Sequence, residues 1–322
     1  MTTAFRHNGH ATPVTGQASS AGDDPSTGRP GGHPDGSGTD SPTSRVATVT
    51  GVSLWTRFRR SPLSAPTAVL AAGWLVLVLV STVAPGLFTG QDPVNGEIGS
   101  KLLAPGAEHL FGTDQLGRDI FSRVVHGTSL TVRAVLTAVA ISIVGGSVLG
   151  AVAGFSGGRV DAVIMRLVDV LLAVPGLLLS LAVIVALGFG TVNVAVAVGV
   201  TGVASIARVM RSEVLKVRQA AYVDAARAAG ATRFRILWRH VVPNSLGPVI
   251  VYGVLEFGNA VLAVSALSFL GYGAPPPTPE WGALVAQGRD YLAAQSWIST
   301  MPGLVITATV LSTNRLAHAL RR

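Results

Sequence analysis

Residues 170–207 read VLLAVPGLLLSLAVIVALGFGTVNVAVAVGVTGVASIA and carry no charged side chain. A helix crossing a membrane needs about 20 apolar residues, because the hydrocarbon core is about 30 Å thick and each residue rises about 1.5 Å. This stretch is too long for one crossing. Gly188-Phe-Gly-Thr-Val-Asn193 lies inside it and supplies turn chemistry. The run is therefore predicted to fold as two spanning helices, and the chain as an all-α polytopic membrane protein.

Four further apolar runs flank it. One covers Leu63–Ala84 and follows Arg57, Arg59 and Arg60; a second covers about 130–155. A third covers about 245–270 and is interrupted by Glu256; the last covers about 298–316. About six transmembrane helices result. Composition agrees: of 322 residues, 49% are hydrophobic and only 12% are Asp, Glu, Lys or Arg, about half the charged share of a soluble domain.

The net charge of +8 does not indicate nucleic acid, because the positive charge sits beside apolar spans. Residues 208–244 hold Arg208, Arg211, Lys216, Arg218, Arg227, Arg233, Arg235 and Arg239 against Glu213 and Asp224. Residues 85–127 hold Lys101, Arg118 and Arg123 against Asp92, Glu97, Glu108, Asp114 and Asp119. Basic loops stay in the cytoplasm, so both termini and the 208–244 segment are expected there, with 85–127 and 272–297 outside. Residues 1–54 are rich in Gly, Ser, Thr, Pro and Asp. They are expected to form a disordered cytoplasmic tail, because they cannot bury enough surface to offset chain entropy. Residues 55–322 are expected to form the membrane domain.

Several chemistries are excluded. There is no cysteine, which removes disulfides, thiolate metal sites and cysteine nucleophiles. A phosphate-binding loop needs Gly-Lys-Ser/Thr, and neither lysine, Lys101 nor Lys216, stands in that setting. No catalytic residue and no metal ligand set is expected, and no cofactor on this chain.

Within 213–244, EVLKVRQAAYVDAARAAGATRFRILWRHVVPN, two short helices are predicted. Val214, Val217, Ala221, Ala225 and Ala228 recur at helical spacing in the first. Gly230 suits a left-handed helix end, and Thr232 can cap the next helix. Phe234, Leu237, Trp238 and Val241 form a bulkier stripe, and Pro243 is expected to stop the helix. On periodicity alone this is equally an amphipathic surface helix on the inner leaflet.

The spacing adds more. Asp224-Ala225-Ala226, three residues, Gly230, nine residues and His240-Val-Val-Pro243 resembles the EAA loop of bacterial ABC importer permeases. The family's usual acid is Glu and its ending nearer Ile-Leu-Pro, where this chain has Asp224 and Val241-Val242. Phe111-Gly-Thr-Asp-Gln-Leu-Gly-Arg-Asp119, Asp161-x4-Arg166-x2-Asp169 with Pro175, Ser268-Phe-Leu-Gly-Tyr-Gly273 and Pro275-Pro-Pro-Thr-Pro-Glu-Trp-Gly282 resemble the C-type permease of dipeptide, oligopeptide and nickel importers. The C-terminus departs: Asn314 is followed by Arg-Leu-Ala-His-Ala-Leu-Arg-Arg rather than a Gly-Asp stretch.

The resemblance implies a type I ABC importer permease fold in a bacterial plasma membrane, with peptides as substrate or, as the alternative, nickel or another small solute. It implies a second permease, two ATPase subunits that hold ATP and Mg, and an extracytoplasmic substrate-binding protein. It assigns Asp224, Ala225, Ala226, Gly230, Trp238 and Pro243 to ATPase coupling. Bottom-up, the outer segments read as turns and stiff connectors with Trp281 as an interface anchor, and Asp161, Arg166 and Asp169 as paired structural charges. Glu256, with Asn259, lies either on the substrate pathway or in an interhelical polar contact. A secondary transporter or channel would also explain the spans, but not the 208–244 segment.

Overall fold

The computed structural model describes residues 66–320. The 1–54 tail, the Arg57–Arg60 cluster, the first residues of the first apolar run and Arg321-Arg322 lie outside the described residues. Within them the chain is helical, with one isolated bridge between Thr113 and Asp119.

The helices are α1 Pro66–Val83, α2 Ile120–Ser156, α3 Gly158–Ala173, α4 Gly176–Leu187, α5 Thr191–Val217, α6 Ala221–Ala228, α7 Arg233–Phe269, α8 Trp281–Gly288 and α9 Trp297–Leu320. Among the described residues α1, α2, α5 and α7 are each long and apolar enough to cross a membrane, and α3 with α4 forms a bent fifth candidate. α9, at 24 residues, is long enough to be the sixth but is diluted by Ser and Thr.

Each boundary has a local cause. α2 begins ten residues before the predicted start because the Asp119 side chain accepts Ser122 N at 2.7 Å and caps the helix. No helix forms over residues 114–119. The Asp114 carboxylate instead accepts Leu116 N and Arg118 N at 2.8 and 3.0 Å, and Gly117 takes φ +77°. α3 and α4 meet at 98°. Pro175 keeps Val174 extended and cannot donate to the preceding turn. The predicted turn between the third and fourth spans forms: Gly188 and Gly190 take φ +92° and +126°, and Asn193 Nδ2 donates to the Leu187 and Gly188 carbonyls at 3.1 Å.

α2 and α5 pack along their length through small residues, as membrane helices do when backbones approach closely. A Cβ on Gly146 would come 2.5 Å from Ile206 Cβ, and one on Gly150 2.4 Å from the Ala207 carbonyl oxygen. Ser142 Oγ donates to the Gly199 carbonyl at 2.9 Å across the same seam. α1 joins α9 through Trp74 Nε1 to Thr309 Oγ1 at 3.0 Å.

The segments before α2 and after α7 form one packed layer. Arg118 Nε donates to Asp114 at 2.7 Å, Arg123 Nη1 to the Pro93 carbonyl at 3.0 Å and Arg123 Nη2 to Gln287 at 3.3 Å, with Asp114, Arg118 and Arg123 all buried. Trp281 is not an interface anchor. It is fully buried and donates through Nε1 to the Val124 carbonyl at 3.1 Å, so it belongs to the protein core. The buried Glu280 beside it accepts Ser268 Oγ at 2.6 Å and Ala274 N at 2.9 Å. Burial raises its carboxyl pKa above the usual glutamate value, against those two hydrogen bonds.

Candidate functional site

The opposite end of the bundle carries the basic segment. It is not one loop over 208–244, nor a pair of isolated helices. α5 continues to Val217, α6 is a separate two-turn helix, and α7 runs unbroken from Arg233 into the membrane. The predicted stripe therefore splits. Val214 is buried inside the bundle on α5, whereas Ala221, Ala225 and Ala228 lie exposed on α6 beside the exposed Asp224. α6 is anchored by its other side, through fully buried Val223 and part-buried Ala226. The alanine face is free because a different pair of residues carries the packing.

Gly230 takes φ +80°, and no atom lies within 4 Å of where its Cβ would stand. Conformation rather than crowding selects glycine here. Ala231 N donates to the Ala226 carbonyl and Gly230 N to Arg227, closing α6 over the turn. Thr232 Oγ1 accepts Arg235 N at 3.4 Å and caps α7, as its hydroxyl predicts.

Pro243 does not stop α7. Residues Leu237–Val241 wind as a π turn, and the α-helix continues over Val242–Phe269. The wider turn precedes a residue with no N–H, so the missing i→i−4 bond is absorbed without breaking the rod. The bulky stripe also divides. Phe234 and Trp238 are exposed, 73% and 52%, with ring centroids 6.2 Å apart, while Ile236 and Val241 are buried with Val214 and Val249. Pro243 is exposed. The open surface of this end thus gathers Asp224, Ala225, Gly230, Phe234 and Trp238. Asp224 is paired within the chain, accepting Arg227 Nη1 at 2.8 Å.

Charges of the neighbouring layer are matched. Arg211 Nη2 donates to Asp161 at 2.6 Å, with Nε on the other carboxylate oxygen, and Arg208 donates to Asp169 at 2.6 Å. These pairs tie α3 to α5, as read for Asp161 and Asp169; Arg166 makes no ion pair among the described residues. Arg218 Nη1 donates to the Gly154 and Phe155 carbonyls at 2.9 and 3.3 Å, satisfying the open C-terminus of α2. Sequence reasoning missed Arg218, because its partners lie more than 60 residues away and leave no local signal. It also missed Val223 and Ile236, because placing the α5–α6 break correctly was needed to phase the helical face.

Within the spans, Glu256 and Asn259 separate. Glu256 is buried and its Oε1 sits against Gly202 of α5, where a Cβ would be 2.7 Å away; Asn259 is exposed and reaches Glu256 Oε2 at 3.5 Å.

Comparison with known proteins places this geometry. Residues 146–322 match the family described as binding-protein-dependent transport system inner membrane component. The probable D,D-dipeptide transport system permease protein DdpC of Escherichia coli is 40% identical over 271 residues, 84% of this chain and 90% of its own length. The di/tripeptide transport system permease protein DppC of Pseudomonas aeruginosa is 42% identical over 215 residues, 67% and 71% of the two chains. The glutathione transport system permease protein GsiD of Pectobacterium atrosepticum is 37% identical over 270 residues, 83% and 88%. Among solved structures, a chain of the inward-facing MetNI methionine ABC transporter superposes with TM-score 0.51 at 17% identity, covering 62% of this chain and 97% of its own. That likeness is one of fold.

Proposed function

Because this chain belongs to the binding-protein-dependent transport system inner membrane component family, we propose that it is a permease subunit of an ATP-driven importer whose cargo is a di- or oligopeptide. The observation that carries the peptide reading is the 40% identity shared with a D,D-dipeptide permease over nine-tenths of that protein. A self-contained ion-driven carrier or channel is a different class and does not fit the family.

The chain supplies half of a translocation pathway, completed by a second permease. Two ATPase subunits hold ATP and Mg, and an extracytoplasmic protein delivers the peptide. α6 and the Gly230 turn, with Trp238 beside them, dock on one ATPase through the face that carries Asp224 and Ala225, while Ala226 holds α6 to the bundle. Pro243 and its π turn transmit the motion into α7. ATP shifts the population between inward- and outward-open packings by favouring the state in which the ATPases close. The excess of arginine over acid in 208–244 supports a cytoplasmic position for this end and for both termini. Glu256 packs α7 against α5, its carboxylate filling the space that Gly202 leaves by having no side chain, and this favours the interhelical reading over the pathway one.

The test is uptake by the complete complex reconstituted with its cognate binding protein. ATP-dependent accumulation of a labelled dipeptide is expected. A binding protein that holds nickel or a sugar and ignores peptides would overturn the substrate, and uptake driven by an ion gradient without ATPase subunits would overturn the mechanism.

A further inference from the structure

A cleft of about 890 Å³ separates the bundle from the α6–α7 turn. Phe155, at the end of α2, forms one wall, and Arg218, just past α5, stands beside it; Asp224, Arg227, Arg233 and Phe234 form the other wall. Its charge is unbalanced: three arginines face one carboxylate, and that carboxylate is already held by Arg227 at 2.8 Å. Arg218 spends Nη1 on the end of α2 and makes no ion pair, and Arg233 makes none either, among the described residues. The imbalance is local, since Arg208 and Arg211 in the adjacent layer are matched by Asp169 and Asp161.

We propose that this cleft binds the phosphate-bearing headgroup of an anionic phospholipid. Three observations converge. The C-terminal ends of two membrane helices, α2 and α5, line it, which puts it at the end of the bundle where the chain leaves its apolar spans. Guanidinium forks match phosphate oxygens, and basic pockets between spans at the membrane boundary take anionic headgroups. The walls are also apolar, with Phe155 and the 73% exposed ring of Phe234. Those rings suit the glycerol and first methylenes of a lipid and give nothing to a free inorganic anion. A bound headgroup would brace the α6–α7 turn against the end of α2 and so make coupling depend on lipid charge. The cytoplasmic placement proposed above selects only the leaflet; binding itself does not depend on it, nor on the peptide substrate.

The test uses the complete complex in nanodiscs of equimolar phosphatidylglycerol and phosphatidylcholine, with retained lipids counted by native mass spectrometry. Wild type is expected to retain phosphatidylglycerol preferentially. Arg233→Glu should lower that retention about fivefold or more, while Arg239→Glu, outside the cleft, should leave it unchanged. Equal retention of the two lipids in wild type, or equal loss in both variants, overturns the proposal. Stabilisation of the detergent-solubilised complex by millimolar inorganic phosphate, abolished by Arg233→Glu, would assign the cleft to a free anion instead. Loss of ATPase subunits from Arg233→Glu with lipid retention intact would assign the arginine to protein docking.

Discussion

Gly230 and Gly150 are both irreplaceable on geometry, but for opposite reasons. Gly230 has open space and a positive φ, so a Cβ costs backbone energy of roughly 1–2 kcal/mol without touching the bundle. Gly230→Val is expected to insert and to bind its partner permease normally, and to lose ATPase retention or peptide-stimulated hydrolysis. Ala225→Trp, which fills the exposed alanine face, should do the same. Wild-type ATPase retention and uptake in both variants would remove α6 and its turn from coupling. Gly150 has an ordinary helical conformation and no space. Gly150→Leu should lower thermal stability in detergent by an amount typical of overpacking, about 1–3 kcal/mol. Gly73→Leu on α1, where no atom lies within 4 Å of the Cβ position, should leave it unchanged. A similar melting temperature for both would show that α2 and α5 do not need their close approach.

At the scale of the element, the loop after α7 gathers around one buried carboxyl. Glu280 gathers Ser268 and Ala274, and burial raises its pKa. A raised carboxyl pKa means that the folded loop binds its proton more tightly than the unfolded chain. The stabilisation is then full below the ordinary glutamate value and fades as pH rises through the folded one. Protease resistance of residues 271–280 should accordingly fall as pH rises above the ordinary glutamate range, and Glu280→Gln should flatten that dependence. An identical pH profile in wild type and variant would exclude Glu280 as its source. Positions on the two sides of the α7 span also test the topology. The absence of native cysteine makes Thr232→Cys and Ala293→Cys clean probes. An impermeant thiol reagent added outside intact cells should label position 293 and spare 232; the reverse pattern would invert the orientation.

For the whole molecule, all the described packing lies within residues 66–320, and the family match begins at residue 146. Deleting residues 1–54 should therefore leave assembly with the partner permease and ATPases intact, as measured by co-purification. A correctly inserted truncation that loses the complex would give the tail a structural role. The two ends of the bundle are built differently. The end that carries the 85–119 and 271–297 segments is locked by buried Asp114, Arg118, Arg123 and Glu280, while the end that carries α6 leaves its alanines and Phe234 open. A rigid outer layer and an open surface at the other end are what a subunit needs if motion is to enter from one side.

Hydrophobic run length, arginine asymmetry and the Asp224–Pro243 spacing determined the all-α membrane architecture and the family, and singled out the end of the bundle proposed to couple. These are one-dimensional signals, because a span is set by consecutive residues and topology by charges next to them. The turn at Gly188–Asn193, the positive φ at Gly230 and the cap at Thr232 were equally legible, since each is a bond or conformation within a few residues. Tertiary structure alone decided the rest. The π turn let α7 run through Pro243, and Trp281 went to the core instead of the interface. Which face of α6 stays open depended on Val223 finding Ile206 and Met210 in the same cluster, and the fate of Arg218 on the carbonyls that end α2. Those partners lie far apart in sequence, so packing selects them and no local period records them.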